Sequence, residues 1–141
     1  MKKLVFLCRG NKLRSPIAET IFNKNPKTGW VAFSYGTAVE KEGWENMKIS
    51  DFDNDLNLIV NELKKDGIDI SNKICQQVQP KYLDDANKII VMAEKDTIPD
   101  WLEQIEYERW NIPNPNNILE FHEQHVVLLL NQKIGELKKA L

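Results

Sequence analysis

The sequence predicts an α/β fold: a doubly wound, four-stranded parallel sheet flanked by helices, with a tight polar loop after the first strand. Three observations predict it. Short, continuous apolar runs at residues 3–7 and 88–92 have the character of strands buried on both faces. Segments with apolar residues at helical spacing alternate with these runs, the order expected of a parallel sheet covered by helices. The first run breaks into a polar, glycine-containing loop that restarts as a helix.

Taken in order, residues 3–7 form the first strand and lead into Cys8. The chain then breaks into Arg9-Gly10-Asn11-Lys12-Leu13-Arg14 and restarts at Ser15-Pro16. Serine before proline is a helix start, with Ser15 as N-cap and Pro16 at the first helical position, where a missing N–H costs nothing. Ile17, Ala18, Ile21 and Phe22 give this helix its apolar face, and residues 23–29 close it. Residues 30–35 form a second strand stopped by Gly36. Residues 37–51 are polar and predict a long loop carrying Gly43 and Trp44. Phe52, Leu56, Ile59, Val60 and Leu63 mark another amphipathic helix, with Gly67 as its stop. Residues 88–92 are the third strand and residues 106–110 a weaker fourth. A final long helix is expected over residues 117–139, with Val126, Leu130, Ile134 and Leu137 as its inward stripe. Neither repeat nor linker interrupts residues 1–141, which predicts a single domain.

Composition narrows the function classes. The chain has 141 residues, 42% hydrophobic and 28% charged, enough to bury a core without disulfide or metal staples. A net charge of −2 argues against a nucleic-acid partner, which would call for a basic excess. No apolar run approaches the roughly 20 residues needed to cross a bilayer. The opening stretch is short and soon interrupted by Arg9, unlike a signal peptide, so the expectation is a cytoplasmic protein without a membrane partner. Cys8 and Cys75 stand far apart, and the cytosol disfavours a disulfide, so both are expected as free thiols. One cysteine per neighbourhood does not make a thiolate zinc cluster. His122 and His125, three apart on the last helix, have the character of surface residues. No metal or cofactor is expected.

The chemistry concentrates in residues 8–15. Ligands of open parallel sheets bind beyond the carboxyl ends of the strands, where this loop lies. Its backbone N–H groups and the following helix N-terminus make a cradle for an anion, so Arg9, Gly10, Asn11, Lys12, Leu13 and Arg14 are the candidate phosphate-binding residues. Arg14 adds a planar fork able to grip two oxygens of phosphate or a similar oxyanion. The same positive surroundings favour the thiolate form of Cys8, a nucleophile that attacks phosphorus in line to give a phosphocysteine. Gly10 permits close backbone approach. Asn11 tolerates left-handed geometry and can tie the loop together. The Ser15 hydroxyl can donate to the thiolate and make it a better leaving group. Against this stands the plain alternative of a buried cysteine acting as a small hydrophobe. A Cys-five-Arg spacing at a strand end, with Gly and Asn inside and Ser-Pro following, weighs against that alternative.

The run Leu7-Cys8-Arg9-Gly10-Asn11-Lys12-Leu13-Arg14-Ser15-Pro16-Ile17-Ala18-Glu19 closely resembles the phosphate loop of the low-molecular-weight protein tyrosine phosphatase family, which also contains thioredoxin-linked arsenate reductases. The resemblance continues through Ser34-Tyr35-Gly36-Thr37, Gly67-Ile68-Asp69-Ile70-Ser71, Val91-Met92 and Ile112-Pro113-Asn114-Pro115. It implies a four-stranded parallel sheet, Cys8 as nucleophile, Arg14 as phosphate clamp, Ser15 as thiolate stabiliser, and Asn11 with Ser34 as bracing partners. The implied substrate is a phosphotyrosine protein or a small phosphomonoester.

The sequence departs from the family at Asn114, where the resemblance implies an aspartate that protonates the leaving oxygen and then activates water. A carboxamide has no titratable proton near neutral pH. Loss of general acid catalysis costs on the order of 10² to 10⁴ in rate. Asn114 therefore predicts a slow hydrolase, one limited to good leaving groups, or a catalytically silent phosphopeptide-binding module. Glu108 and Asp100 are the alternative acids to weigh, against their reading as solvated loop charges. Trp44 either forms an aromatic wall of the cleft or packs against the body. Leu13 occupies the place of a second loop cysteine, so disulfide protection within the loop is not expected. An arsenate reductase of this family needs two further cysteines. Cys75 alone cannot complete that relay, which leaves only a version that borrows an external thiol; an inert, buried Cys75 is the competing reading.

Overall fold

The structure is a computed structural model that describes all 141 residues. Four strands, β1 (Lys2–Cys8), β2 (Trp30–Gly36), β3 (Lys88–Val91) and β4 (Glu108–Arg109), form one sheet in the order β2-β1-β3-β4. Every neighbouring pair is parallel. The helices are α1 (Arg14–Lys24), α2 (Asn54–Lys65), α3 (Pro80–Leu83), α4 (Asp100–Glu103), α5 (Ile118–Gln124) and α6 (Val126–Ala140).

The continuous apolar run in β1 serves two cores at once. Side chains alternate across a strand, so Leu4, Phe6 and Cys8 face the opposite way from Val5 and Leu7. The first set joins a large cluster with Ile17 and Phe22 of α1, Ile59 and Leu63 of α2, Phe121 of α5, and Leu130 and Ile134 of α6. The second set meets Leu83 of α3, Leu102 of α4, Val78, Ile89 and Val91 in a smaller one. The sheet is thus covered on both faces, as expected of a doubly wound fold. From β1 the chain moves to β2 on one side, then returns past β1 to β3 on the other. The direction reverses beside the carboxyl end of β1, where Cys8 and the following loop lie.

Several local expectations change. Helix α1 begins at Arg14 with Leu13 in the capping position and no side-chain cap, so Ser15 is a helical residue and not the N-cap. Its hydroxyl is engaged inside the loop. Strand β4 shrinks to two residues because only Ile90↔Glu108 and Val91↔Arg109 pair across the sheet edge. The one-turn helices α3 and α4, which complete the second face, are too short to leave a periodic signature. The long C-terminal helix is broken: His125 adopts φ 51°, ψ 44°, ending α5 and starting α6. The break serves packing, because α5 lies against α2 whereas α6 lies against α1. Asn117 caps α5 by accepting the Glu120 N–H at 2.9 Å. The expected stop at Gly67 holds, with φ 77°, while α2 starts at Asn54 behind an Asp53 cap and leaves Phe52 outside it.

A β-branched residue fits left-handed backbone poorly, at a cost of roughly 1–2 kcal/mol. His125→Val should therefore lower the unfolding free energy by about that amount in urea denaturation, and His125→Gly should not.

Candidate active site

The loop between β1 and α1 is held by side chains from four segments. Asn11 turns it with a left-handed backbone, φ 54°. The Asn11 carboxamide donates to Ser15 Oγ at 3.0 Å and to Ser34 Oγ at 3.1 Å. Its Oδ1 accepts the backbone N–H of Gln76 at 2.9 Å, and its own carbonyl accepts the Cys75 thiol at 3.3 Å. Ser34, on β2, donates onward to Glu19 Oε1 at 2.8 Å, and Lys73 closes the chain on the same carboxylate at 3.0 Å. The bracing pair expected from sequence, Asn11 and Ser34, is thus in direct contact.

Cys8 ends β1 with its sulfur 3.0 Å from Ser15 Oγ. The hydroxyl that receives the Asn11 N–H is therefore able to give its own hydrogen to sulfur. Gly36 lies across from Cys8 in the sheet, and a Cβ there would come within 2.8 Å of the Arg9 carbonyl and 2.9 Å of the Asn11 nitrogen. Gly10 is similarly confined, since a Cβ would come 2.8 Å from the Trp44 ring. Both glycines are needed for close approach and not for unusual dihedrals.

Arg14 is 3% exposed, and the protein itself occupies much of its fork. Nη1 donates to the carbonyls of Met92 (2.7 Å) and Ile112 (3.2 Å), and Nη2 to Glu94 (2.7 and 3.3 Å). The buried Nε–H has no acceptor in the protein. These contacts aim the guanidinium and leave that N–H for a ligand, a narrower grip than a wholly free fork. Glu94 was not among the residues singled out from sequence. Its position just past the carboxyl end of β3, where ligands of parallel sheets bind, is the signal that could have found it.

A cleft of about 330 Å³ opens over the loop. Cys8, Gly10, Lys12 and Arg14 of the loop line it together with Trp44 and with Asn114, Pro115 and Asn116. Trp44 fills both roles considered for it: it lines the cleft and also packs edge-on against Phe52, ring centroids 5.6 Å apart. The Lys12 ammonium sits 3.8 Å from the Trp44 ring centroid and 4.9 Å from that of Phe52. Burial pushes that ammonium below its ordinary 10.5, against upward pulls from Asp53, Cys75, Glu42 and Cys8. Arg9 reaches the rim and pairs with Glu42 at 2.9 Å. Leu13 is buried and serves as the capping residue of α1.

Neither alternative acid reaches the cleft. Glu108 accepts the Trp110 indole N–H and an ion pair from Lys88 at 3.2 Å; the indole bond above all holds its carboxyl below the usual range. Asp100 opens α4 as an exposed residue. His122 and His125 are exposed, as expected for surface positions. A larger depression, about 530 Å³, lies at the other end of the sheet between Trp30, Trp110 and the end of α6, and contains none of the loop.

The family model described as low molecular weight phosphotyrosine protein phosphatase matches residues 3–141. The chain belongs to this family. A low molecular weight protein tyrosine phosphatase from T. tengcongensis is similar at 26% identity and TM-score 0.71, each chain covered in full. Wzb of Vibrio vulnificus, solved with benzylphosphonate, is similar at 22% identity and TM-score 0.71, covering 99% of both chains. An arsenate reductase solved in its phosphate-binding state has 20% identity and TM-score 0.70, covering 99% of this chain and 98% of its own. A search of curated proteins gave no match.

The loop is also braced by a thiol, that of Cys75, which donates to the Asn11 carbonyl at 3.3 Å. Cys75 is buried, and burial first, then Cys8, pushes it up to about 12. A thiol with so high a value stays protonated and slow to alkylate at neutral pH. Iodoacetamide at neutral pH should therefore modify Cys8 and leave Cys75 intact in the folded protein, and modify both in urea, as read by peptide mass spectrometry. Equal labelling of both in the native state would contradict the arrangement.

Proposed function

We propose that the chain is a phosphomonoester hydrolase that works through a phosphocysteine on Cys8, with turnover slowed by Asn114. The observation that carries this reading is the Cys8 sulfur, 3.0 Å from the Ser15 hydroxyl on the floor of a cleft that it shares with Arg14. The uncapped N-terminus of α1 and the free Nε–H of Arg14 supply fixed positive charge for phosphate oxygens. The thiolate attacks phosphorus, and the ester P–O bond breaks with its electron pair leaving on oxygen. Water then attacks the phosphocysteine, the thiolate departs, and inorganic phosphate is released. The Ser15 hydrogen bond stabilises the departing sulfur in this second step.

Asn114 lines the cleft where the leaving oxygen would lie but has no proton to give. The reaction is then fastest for esters whose alcohol leaves unaided. Trp44 offers a flat apolar wall, which suits an aryl phosphate such as phosphotyrosine. The benzylphosphonate held by the similar Wzb structure supports that choice of ligand. A nucleophilic thiol must stay reduced, a condition that the cytoplasm meets.

Asn114 also favours a second reading, a phosphate-binding module that requires Arg14 and turns nothing over. Arsenate reduction has less support, since Cys75 is buried under the loop with its hydrogen donated to Asn11.

Steady-state hydrolysis of 4-nitrophenyl phosphate separates these readings. Cys8→Ser should abolish turnover, and Asn114→Asp should raise it by roughly 10² or more, the low end of what a general acid supplies. Full activity in Cys8→Ser, or no gain in Asn114→Asp, would contradict the assigned roles. Phosphate binding with no turnover in either the parent or Asn114→Asp would leave the binding module.

A further inference from the structure

We propose that Lys12 is the proton donor to the leaving oxygen in this cleft, standing in for the carboxyl that Asn114 lacks. The proposal rests on the hydrolase reading above. Apart from the loop thiol and the arginines, four ionisable side chains line the cleft: Lys12, Glu42, Asp53 and Asp55. The three acids are committed elsewhere or exposed: Glu42 pairs with Arg9 at 2.9 Å, Asp53 accepts the Leu56 N–H at 3.4 Å as the cap of α2, and Asp55 is exposed in the first turn of that helix. The arginines do not release protons in proteins. Lys12 carries a transferable proton on a side chain that lines the same cleft as Cys8 and Asn114.

Geometry holds that proton in the cleft. The Lys12 ammonium rests in the corner made by Trp44 and Phe52, 3.8 Å and 4.9 Å from their centroids. The rings hold the ammonium against one side of the cleft that Lys12 lines together with Cys8, Arg14 and Asn114. Lys12 lies two residues before Arg14 on the same loop as Cys8, so it moves with the nucleophile and not with a separate lid. Burial of the ammonium makes it a better acid than a solvated lysine, opposed by Asp53 at the start of α2, Glu42 on the rim, and Cys75 and Cys8 beneath.

The proton count closes. As the P–O bond to the leaving group breaks, the oxygen takes a proton from the ammonium, leaving a neutral amine. When water attacks the phosphocysteine, that amine takes a proton from water and is restored as ammonium. No further reactant is needed.

The test is the dependence of kcat/KM on the leaving group, comparing 4-nitrophenyl phosphate, whose phenolate leaves unaided, with phenyl phosphate, which needs protonation. Lys12→Gln should raise the ratio of the two rates by roughly 10² over the parent, the low end for losing a general acid. Lys12→Arg keeps the charge and the ring contacts but cannot give up a proton, and it should show the same rise. A ratio within about twofold of the parent in Lys12→Gln, or restored in Lys12→Arg, would overturn the proposal; restoration would mean that charge alone matters. The alkaline limb of the kcat/KM profile for phenyl phosphate should also disappear in Lys12→Gln. If the parent forms no phosphocysteine even with 4-nitrophenyl phosphate, the hydrolase reading fails first, and the role of Lys12 falls with it.

Discussion

Asn11 holds the loop between β1 and α1 in a turn that its backbone alone would not choose. A left-handed residue costs roughly 1–2 kcal/mol, least for glycine and the short polar residues. Each buried hydrogen bond returns a net of about 0.5–1.5 kcal/mol. The carboxamide and carbonyl of Asn11 make bonds to Ser15, Ser34, Gln76 and Cys75, enough to offset the strained turn. The bonds come from α1, β2 and the segment before α3, so the loop geometry is set by the packing of the whole sheet. Cys8 and Ser15 meet at 3.0 Å because this turn folds the start of α1 back over the end of β1. Glycine at position 11 would accept the same dihedral yet lose the side-chain bonds.

The charges around the loop are arranged by the same logic of limited freedom. A net charge of −2 would not suggest an anion site, but the cations in the cleft are held locally. Glu94 and two carbonyls fix the Arg14 guanidinium, Glu42 draws Arg9 to the rim, and Trp44 with Phe52 confines Lys12. Each contact reduces the entropy lost when a ligand binds, at the cost of donors that the ligand could otherwise use. The buried Nε–H of Arg14 is the guanidinium N–H left without an acceptor in the protein.

Much of this was legible in the residues. Strands β1, β2 and β3 show as continuous apolar runs because a parallel sheet buries both faces, and the Cys8 to Arg14 spacing at a strand end marks the loop. What escaped depended on partners distant in sequence. Ser15 has the local signature of an N-cap, yet its hydroxyl is engaged by Cys8 and Asn11. Helices α3 and α4 are single turns without a period. The break at His125 has no proline or glycine to mark it and follows from α5 and α6 packing on different helices. Glu94 sits in the right place at the end of β3, but its partner is 80 residues away. The acids weighed against Asn114 failed for the same reason: nearness in sequence put Glu108 by Trp110 and not in the cleft.

The measurement that bears most directly on the account is rapid acid quench of the protein mixed with 4-nitrophenyl phosphate, followed by peptide mass spectrometry. On the proposed mechanism the second step lacks a general base at position 114, so a phosphoryl group should accumulate on Cys8 and be absent in Arg14→Ala. Turnover with no phosphocysteine, or with the phosphoryl group on another residue, would contradict it.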